Sequence, residues 1–222
     1  MQIDDKKYCF IYSTYSYKIF NNAKIVDCAG NTMHKFAVGN GINDVQTNGN
    51  NELWVSYADY GIYSFSSTAI EKRGLNCFDK YGKLIYAYHH SPLIDECNML
   101  NVISDTEILI NIYSGSIKSW YALGIIKNKN IKKIIEWRVP SRILAYSDNK
   151  ILVMGYYLNE IKSKFKLLDI ADEPMDIGTF EFYNEEKEQL NCVHAQKDQL
   201  FFWKNSLLYT ASIGELEMTR KN

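Results

Sequence analysis

The sequence predicts an all-β fold, a five-bladed β-propeller, on three observations. Short runs rich in β-branched and aromatic residues, each bounded by Gly, Asn, Asp or Ser, recur along the whole chain, the pattern of strands separated by tight turns. The most regular runs begin at Cys9, Leu53, Ile108, Ile151 and Leu200, so their starts lie 44, 55, 43 and 49 residues apart. One four-stranded blade takes about 40 to 50 residues, which makes internal repetition the first reading. Third, an Asp-x-x-Gly turn followed by a strand ending in an aromatic occurs at Asp27 and again at Asp79, an offset of 52. Carried forward without a gap, that offset sets Ile42, Asn43, Asp44 and Val45 on Ile94, Asp95, Glu96 and Cys97.

These repeats place approximate blades at 1–41, 42–92, 93–139, 140–186 and 187–222 of a single domain. In the second blade, residues 42–46 and 53–57 are the first two strands and residues 47–51 (Thr-Asn-Gly-Asn-Asn) the hairpin turn between them, since Asn and Gly tolerate the backbone such turns need. The same pair recurs at 99–103 with 108–113, 141–146 with 151–156, and 190–195 with 200–203. In the first blade nothing obvious precedes Cys9. Either residues 1–7 or the tail at 215–218 is expected to supply that strand, because an open edge invites aggregation. Residues 66–74 make at most a short helical turn. A two-sheet β-sandwich is the alternative, and the even spacing and the repeated turn favour the propeller. A doubly wound α/β fold is disfavoured, because no segment between strands carries ten or more residues of helical amphipathicity.

Composition narrows the function classes. The 222 residues are 46% hydrophobic and 23% charged, with a net charge of -1, ordinary values for a folded globular chain. No apolar run reaches the length of a membrane helix and residues 1–8 lack the apolar core of a signal peptide, so the expected compartment is the cytoplasm. The five cysteines form no Cys-x-x-Cys pair and read as reduced thiols, mostly buried, with neither disulfide nor zinc site and no cofactor. Four arginines and a near-neutral balance argue against nucleic acid as a partner, because duplex binding relies on clustered basic residues. The low-Pro composition, rich in Ile, Asn, Lys and Tyr, points to an A/T-rich gene.

Several stretches of the second and third blades carry a resemblance. Asn22-Ala23, Gly41-Ile42-x-Asp44-Val45, Leu53-Trp54-Val55-Ser56-Tyr57-x-Asp59-x-Gly61-Ile62, Gly74-Leu75 ahead of Asp79-x-x-Gly82, and Ile94-Asp95-Glu96-Cys97 with Leu100-Asn101-Val102 resemble a group of bacterial β-propeller proteins of mostly unassigned role. That group is similar to the sensor propellers of two-component regulators and to WD40-like arrays. The match is dense over residues 20–115 and thins afterwards; Asn111-Ile-Tyr-Ser-Gly115 follows it loosely. The resemblance implies a ring of blades used for binding and carries over no catalytic residue.

Residue by residue, the bland reading wins for most chemistry. His89 and His90 with Asp95 and Cys97 are metal-ligand types, but neighbours on a strand point to opposite faces, so they read as a polar connection. Cys97, or Cys192 with His194, has no spacing that sets a thiolate beside an oriented base. The carboxylate pairs Asp44 with Asp59 and Asp95 with Glu96 suit acid–base work in a glycosidase, yet Asp59 sits where a turn is expected. The basic tract 127–133 follows Trp120-Tyr121, a combination that serves single-stranded nucleic acid; it reads as a solvated hairpin tip.

What remains is aromatic. Seventeen tyrosines exceed the needs of a core this size, and Tyr and Trp join a large contact area to a polar tip. Tyr57, Asp59, Tyr60, Tyr63, Trp120, Tyr156 and Tyr157 are therefore the protein-binding candidates, with the connection 58–74 as the expected contact element. The expected function is a non-catalytic protein-binding propeller, more narrowly an immunity protein that blocks a bacterial toxin domain. The alternatives are a small-ligand or glycan-binding propeller or hydrolase, with Asn43, Asp95, Arg142 and His194 at the channel mouth, and a sensor domain separated from a signalling chain.

Overall fold

A computed structural model describes residues 1–4, 6–13, 21–63, 70–90, 92–137, 141–155, 164–172 and 174–220. The chain divides into two compact units, residues 1–136 and 137–222. Three antiparallel sheets build the first: β1 (Gln2–Asp4), β2 (Lys7–Ile11), β3 (Ala23–Asp27) and β4 (Thr32–Phe36); β5 (Ile42–Thr47), β6 (Leu53–Tyr57), β7 (Leu75–Phe78) and β8 (Leu84–Ala87); β9 (Glu96–Val102), β10 (Glu107–Tyr113), β11 (Tyr121–Lys127) and β12 (Asn130–Trp137). In each, strands adjacent in sequence are adjacent in space, the simplest up-and-down order.

The repeated turn is confirmed atom for atom. Asp27 Oδ1 accepts from the Ala29 and Asn31 amides at 2.9 and 2.8 Å; Asp79 Oδ1 accepts from the Tyr81 and Lys83 amides at 2.8 and 2.9 Å. Gly30 and Gly82 take the left-handed backbone each loop requires, at φ +85° and +81°. These loops join β3 to β4 and β7 to β8. Later hairpins use a different device, two consecutive residues with positive φ: Asn128-Lys129, Asp148-Asn149 and Asn205-Ser206.

The second sheet lies between the first and third and is buried along all of β6. Its core combines Leu53, Val55, Leu75 and Phe78 with Ile25 and Phe36 of the first sheet and Ile108, Ile110 and Ile112 of the third. Polar side chains add register. Asn22 donates to the Gly39 carbonyl at 2.7 Å and accepts from the Val38 amide at 3.0 Å, holding the passage from β4 to β5. Along β5, Asn43 donates to the Cys97 carbonyl, Gln46 bonds both the Leu100 carbonyl and the Val102 amide, and Asn48 donates to the Asp105 carbonyl. The bonds to Cys97, Leu100 and Val102 satisfy backbone groups of β9, the edge strand of its sheet, and the bond to Asp105 holds the loop that follows it.

The second unit holds β13 (Ser141–Ser147), β14 (Lys150–Gly155), β15 (Phe165–Asp169) and β16 (Met175–Phe180) in one sheet, and β17 (Cys192–Gln196), β18 (Gln199–Lys204) and β19 (Leu207–Ser212) in another, followed by α2 (Ile213–Arg220). Phe165, Phe182 and Phe202 pack with centroids 4.7 to 6.3 Å apart at its centre.

The two termini separate the alternatives left open for the first blade. Gln2–Asp4 supply the strand beside β2, with Gln2 opposite Tyr8, and the Met1 carbonyl accepts from the Cys9 amide at 2.8 Å. The tail at 215–218 is helical instead. Ser212 and Glu215 bond each other's amides, Glu215 Oε2 to Ser212 N at 2.7 Å and Ser212 Oγ to Glu215 N at 3.3 Å, a capping box that starts a helix at Ile213.

Candidate protein-interaction site

At one end of the first unit, β6 runs out, β9 begins, and the β10–β11 loop turns. The chain leaves β6 at Ala58, whose amide donates to the Gly41 carbonyl at 2.7 Å, and makes one helical turn, α1 (Asp59–Ile62). Ile62 is buried beneath it, while Asp59 and Tyr60 face outward. A tight turn is expected from the sequence at Asp59; the structure makes it helical, with the Tyr63 amide closing onto the Asp59 carbonyl at 2.8 Å. The return is fixed by Gly74 at φ +72°, where a β-carbon would lie 2.4 Å from Ile94 Cγ2.

Tyr63 and Asp95 meet here. The Tyr63 hydroxyl donates to Asp95 Oδ1, while Asp95 Oδ2 accepts from the Gly115 amide at 2.6 Å. Asp95 thus ties α1 to the β10–β11 loop. In that loop Ser114 and Ser116 bond through their hydroxyls at 2.7 Å and Trp120 adopts φ +68°, which presents its ring beside Tyr113 at 5.8 Å. Tyr121 lies 5.3 Å from Tyr113. On the turn of α1 and on this loop, Tyr60, Tyr63 and Trp120 are 42, 63 and 56% exposed.

The electrostatics of the patch are acidic. The bond to Asp95 chiefly, with burial and the neighbouring Asp95, Tyr113 and Asp59 groups, pushes the Tyr63 phenol up to about 12. Burial raises the Glu96 carboxyl, the Asn43 amide opposes that, and Asp59 adds to it.

The other candidates fall elsewhere. Tyr57, expected at the contact surface, is 0% exposed; its hydroxyl donates to the Val38 carbonyl and burial holds its phenol well above the usual range. It is a packing residue because the second sheet is covered on both faces. Tyr156 and Tyr157 lie outside the described residues. Of the channel-mouth set, Asn43 and Asp95 stand at the same end of the first unit, both already committed to bonds, Asn43 with Glu96 and the Cys97 carbonyl. His194 belongs to β17 and stacks on Phe201 at 6.1 Å, and Arg142 lies on β13, its side chain outside the described residues. Among the described residues no group of three or more His, Cys, Asp or Glu is placed to hold a metal. The basic tract is a hairpin tip whose Lys129 pairs with Glu52 at 2.8 Å. Glu96, Tyr113 and Tyr121 were not singled out from the sequence for this surface; the signal for the two tyrosines is their place at facing ends of β10 and β11.

No family model matches the chain and no curated protein matches it. Solved structures do. The C-terminal WD40 domain of Sif2 is similar at a TM-score of 0.52 and 11% identity, over 95% of this chain and 56% of that one. A protein of unknown function from Bacteroides caccae is similar at 0.53 and 9%, over 95% and 74%, and KlAtg21, solved with the coiled coil of AgAtg16, at 0.52 and 13%, over 86% and 58%. The chain spans just over half the length of the first and third. No helix among the described residues is long and apolar enough to cross a membrane. At such identities the likeness is one of fold, and with five separate antiparallel sheets among the described residues, in place of the two of a sandwich, it is the all-β fold of a five-bladed β-propeller.

Proposed function

We propose that the chain is a non-catalytic protein-binding platform whose contact surface is the aromatic group of α1 and the β10–β11 loop. The observation that carries this is the exposure of Tyr60, Tyr63 and Trp120 on a backbone held by side-chain bonds. Large aromatic rings on a rigid support give contact area with little entropy to lose on association. That KlAtg21 was solved with a coiled-coil segment supports the class of function for this fold. The ligand or hydrolase alternative is weaker, because Asn43 and Asp95 already serve the fold. The narrower expectation, an immunity protein against a toxin domain, gains no support from the fold or the comparisons.

The test is affinity capture with the intact chain and a Tyr60→Ala, Tyr63→Ala, Trp120→Ala variant, with Tyr81→Ala, Tyr183→Ala as the surface control. Loss of the captured protein in the triple variant alone supports the assignment. Equal capture by all three moves the contact surface elsewhere.

A further inference from the structure

We propose that this aromatic surface takes a basic side chain, an arginine or lysine, from a segment of the partner protein. The inference rests on the reading of the same surface as a protein contact and names the chemistry it selects. Two independent features converge on a cation. The first is aromatic: the exposed Trp120 ring lies 5.8 Å from Tyr113, and the exposed Tyr63 is tied through Asp95 to the same loop; the faces of such rings attract a guanidinium or ammonium. The second is charge: Asp59 acts on Tyr63 and Glu96 lies opposite Tyr113, next to Asp95, whose two oxygens already serve Tyr63 and Gly115, and among the described residues none of the three forms an ion pair. The carboxylates that bear on Tyr63 and Glu96 electrostatically are Asp59 and Asp95, with no described lysine or arginine beside them.

Bases are close by in sequence. Lys72 and Arg73 lie on the 3-10 turn that follows α1, and Lys118 lies in the β10–β11 loop. All three are exposed, and none bridges to these carboxylates among the described residues. A cation arriving from a partner would meet carboxylates that no described lysine or arginine occupies. An anionic or purely apolar segment would have to approach them at a cost.

The probes are four acetylated and amidated pentapeptides, Gly-Gly-Arg-Gly-Gly and its Lys, Glu and Leu counterparts, titrated into the intact chain while the indole N–H of Trp120 is followed by NMR. That signal is assigned by its loss in Trp120→Phe. The Arg and Lys peptides are expected to shift it with dissociation constants on the order of 1 mM, weakening as salt rises. Glu96→Gln and, separately, Asp59→Asn are expected to weaken them about fivefold, with the rest of the spectrum unchanged as proof of folding. The inference is overturned if the Glu or Leu peptide shifts Trp120 as strongly, a result that leaves the binding platform standing. It is also overturned if no peptide shifts Trp120, or if neither carboxylate variant alters the affinity. The capture experiment above reads the platform itself, so the two failures are separable.

Discussion

Gly41 and Gly61 approach so closely that a β-carbon on Gly41 would lie 2.5 Å from Gly61 Cα, and one on Gly61 would lie 2.5 Å from the Asn40 carbonyl oxygen. This contact is what seats α1 on the start of β5, since the Ala58 amide reaches the Gly41 carbonyl only at that approach. Gly61→Ala inserts a methyl against backbone that has no flexible end to yield. It is expected to cost about 2 kcal/mol, read as a lowered denaturation midpoint, and to break the Tyr63–Asp95 bond by lifting the helical turn. Gly30→Ala is the comparison: it carries the strain of positive φ but meets nothing within 4 Å, so it should cost about 1 kcal/mol and leave the contact surface intact.

Gln46 joins two sheets with one amide. Its Nε2 donates to the Leu100 carbonyl at 2.8 Å and its Oε1 accepts from the Val102 amide at 2.9 Å, in a site where the side chain is 2% exposed. Gln46→Ala strips the partner from two buried backbone groups, and the expected loss is about 3 kcal/mol. Asn43→Ala, at the wetter end of the same strand, should cost under about 1 kcal/mol. Equilibrium urea unfolding of the two variants gives the comparison, and equal losses would rule out the inter-sheet role of Gln46.

The blades were legible because local rules and the fold agree in them: Asp27 and Asp79 build their loops with the same atoms, and each loop joins the same pair of strands in its sheet. The gap-free offset of 52 fails further on. The last pairs before each hairpin are Thr47 with Leu53 and Val102 with Ile108, which are 55 apart, so the strand entry at Ile94 was read three residues early. The contact surface was legible in part. Tyr60, Tyr63 and Trp120 stand out as residue types, but β6 is buried at all five positions, so no alternation separates Tyr57, a packing residue, from its exposed neighbours. The C-terminal helix carried a readable signal, Ser212 three residues before Glu215, which strand spacing alone overlooks.

Thiol chemistry separates the five cysteines. Cys28 is exposed, while Cys9, Cys77 and Cys97 are buried and Cys192 is half-buried. Burial pushes the Cys9 and Cys192 thiols up to about 11 and those of Cys77 and Cys97 higher still. A thiol raised above its unfolded value adds stability that is whole below pH 9.0 and is lost as pH rises through 11. Iodoacetamide at pH 8 should therefore modify Cys28 first, with the other four reacting only on unfolding, as mass spectrometry of the digested chain will show. Rapid labelling of Cys77 or Cys97 in the folded protein would contradict the packing of the second and third sheets.

The Tyr63–Asp95 bond has its own signature in pH. A phenol that donates to a carboxylate loses the bond when it ionises, so the proton is held and the Tyr63 value rises from 10.0 to about 12. The sign follows from linkage: the folded value exceeds the unfolded one, so the contact stabilises the fold fully below pH 10 and that contribution disappears as pH climbs toward 12. Asp95→Ala removes the acceptor, and Tyr63 is then expected to titrate near the ordinary value, measured on ring-labelled tyrosine by NMR against Tyr63→Phe as the assignment. The same substitution frees the Gly115 amide, so the Trp120 ring should lose its fixed position together with the shift in Tyr63. A Tyr63 that titrates normally in the unaltered chain would dissolve the link between α1 and the β10–β11 loop, and with it the preorganised surface on which binding depends.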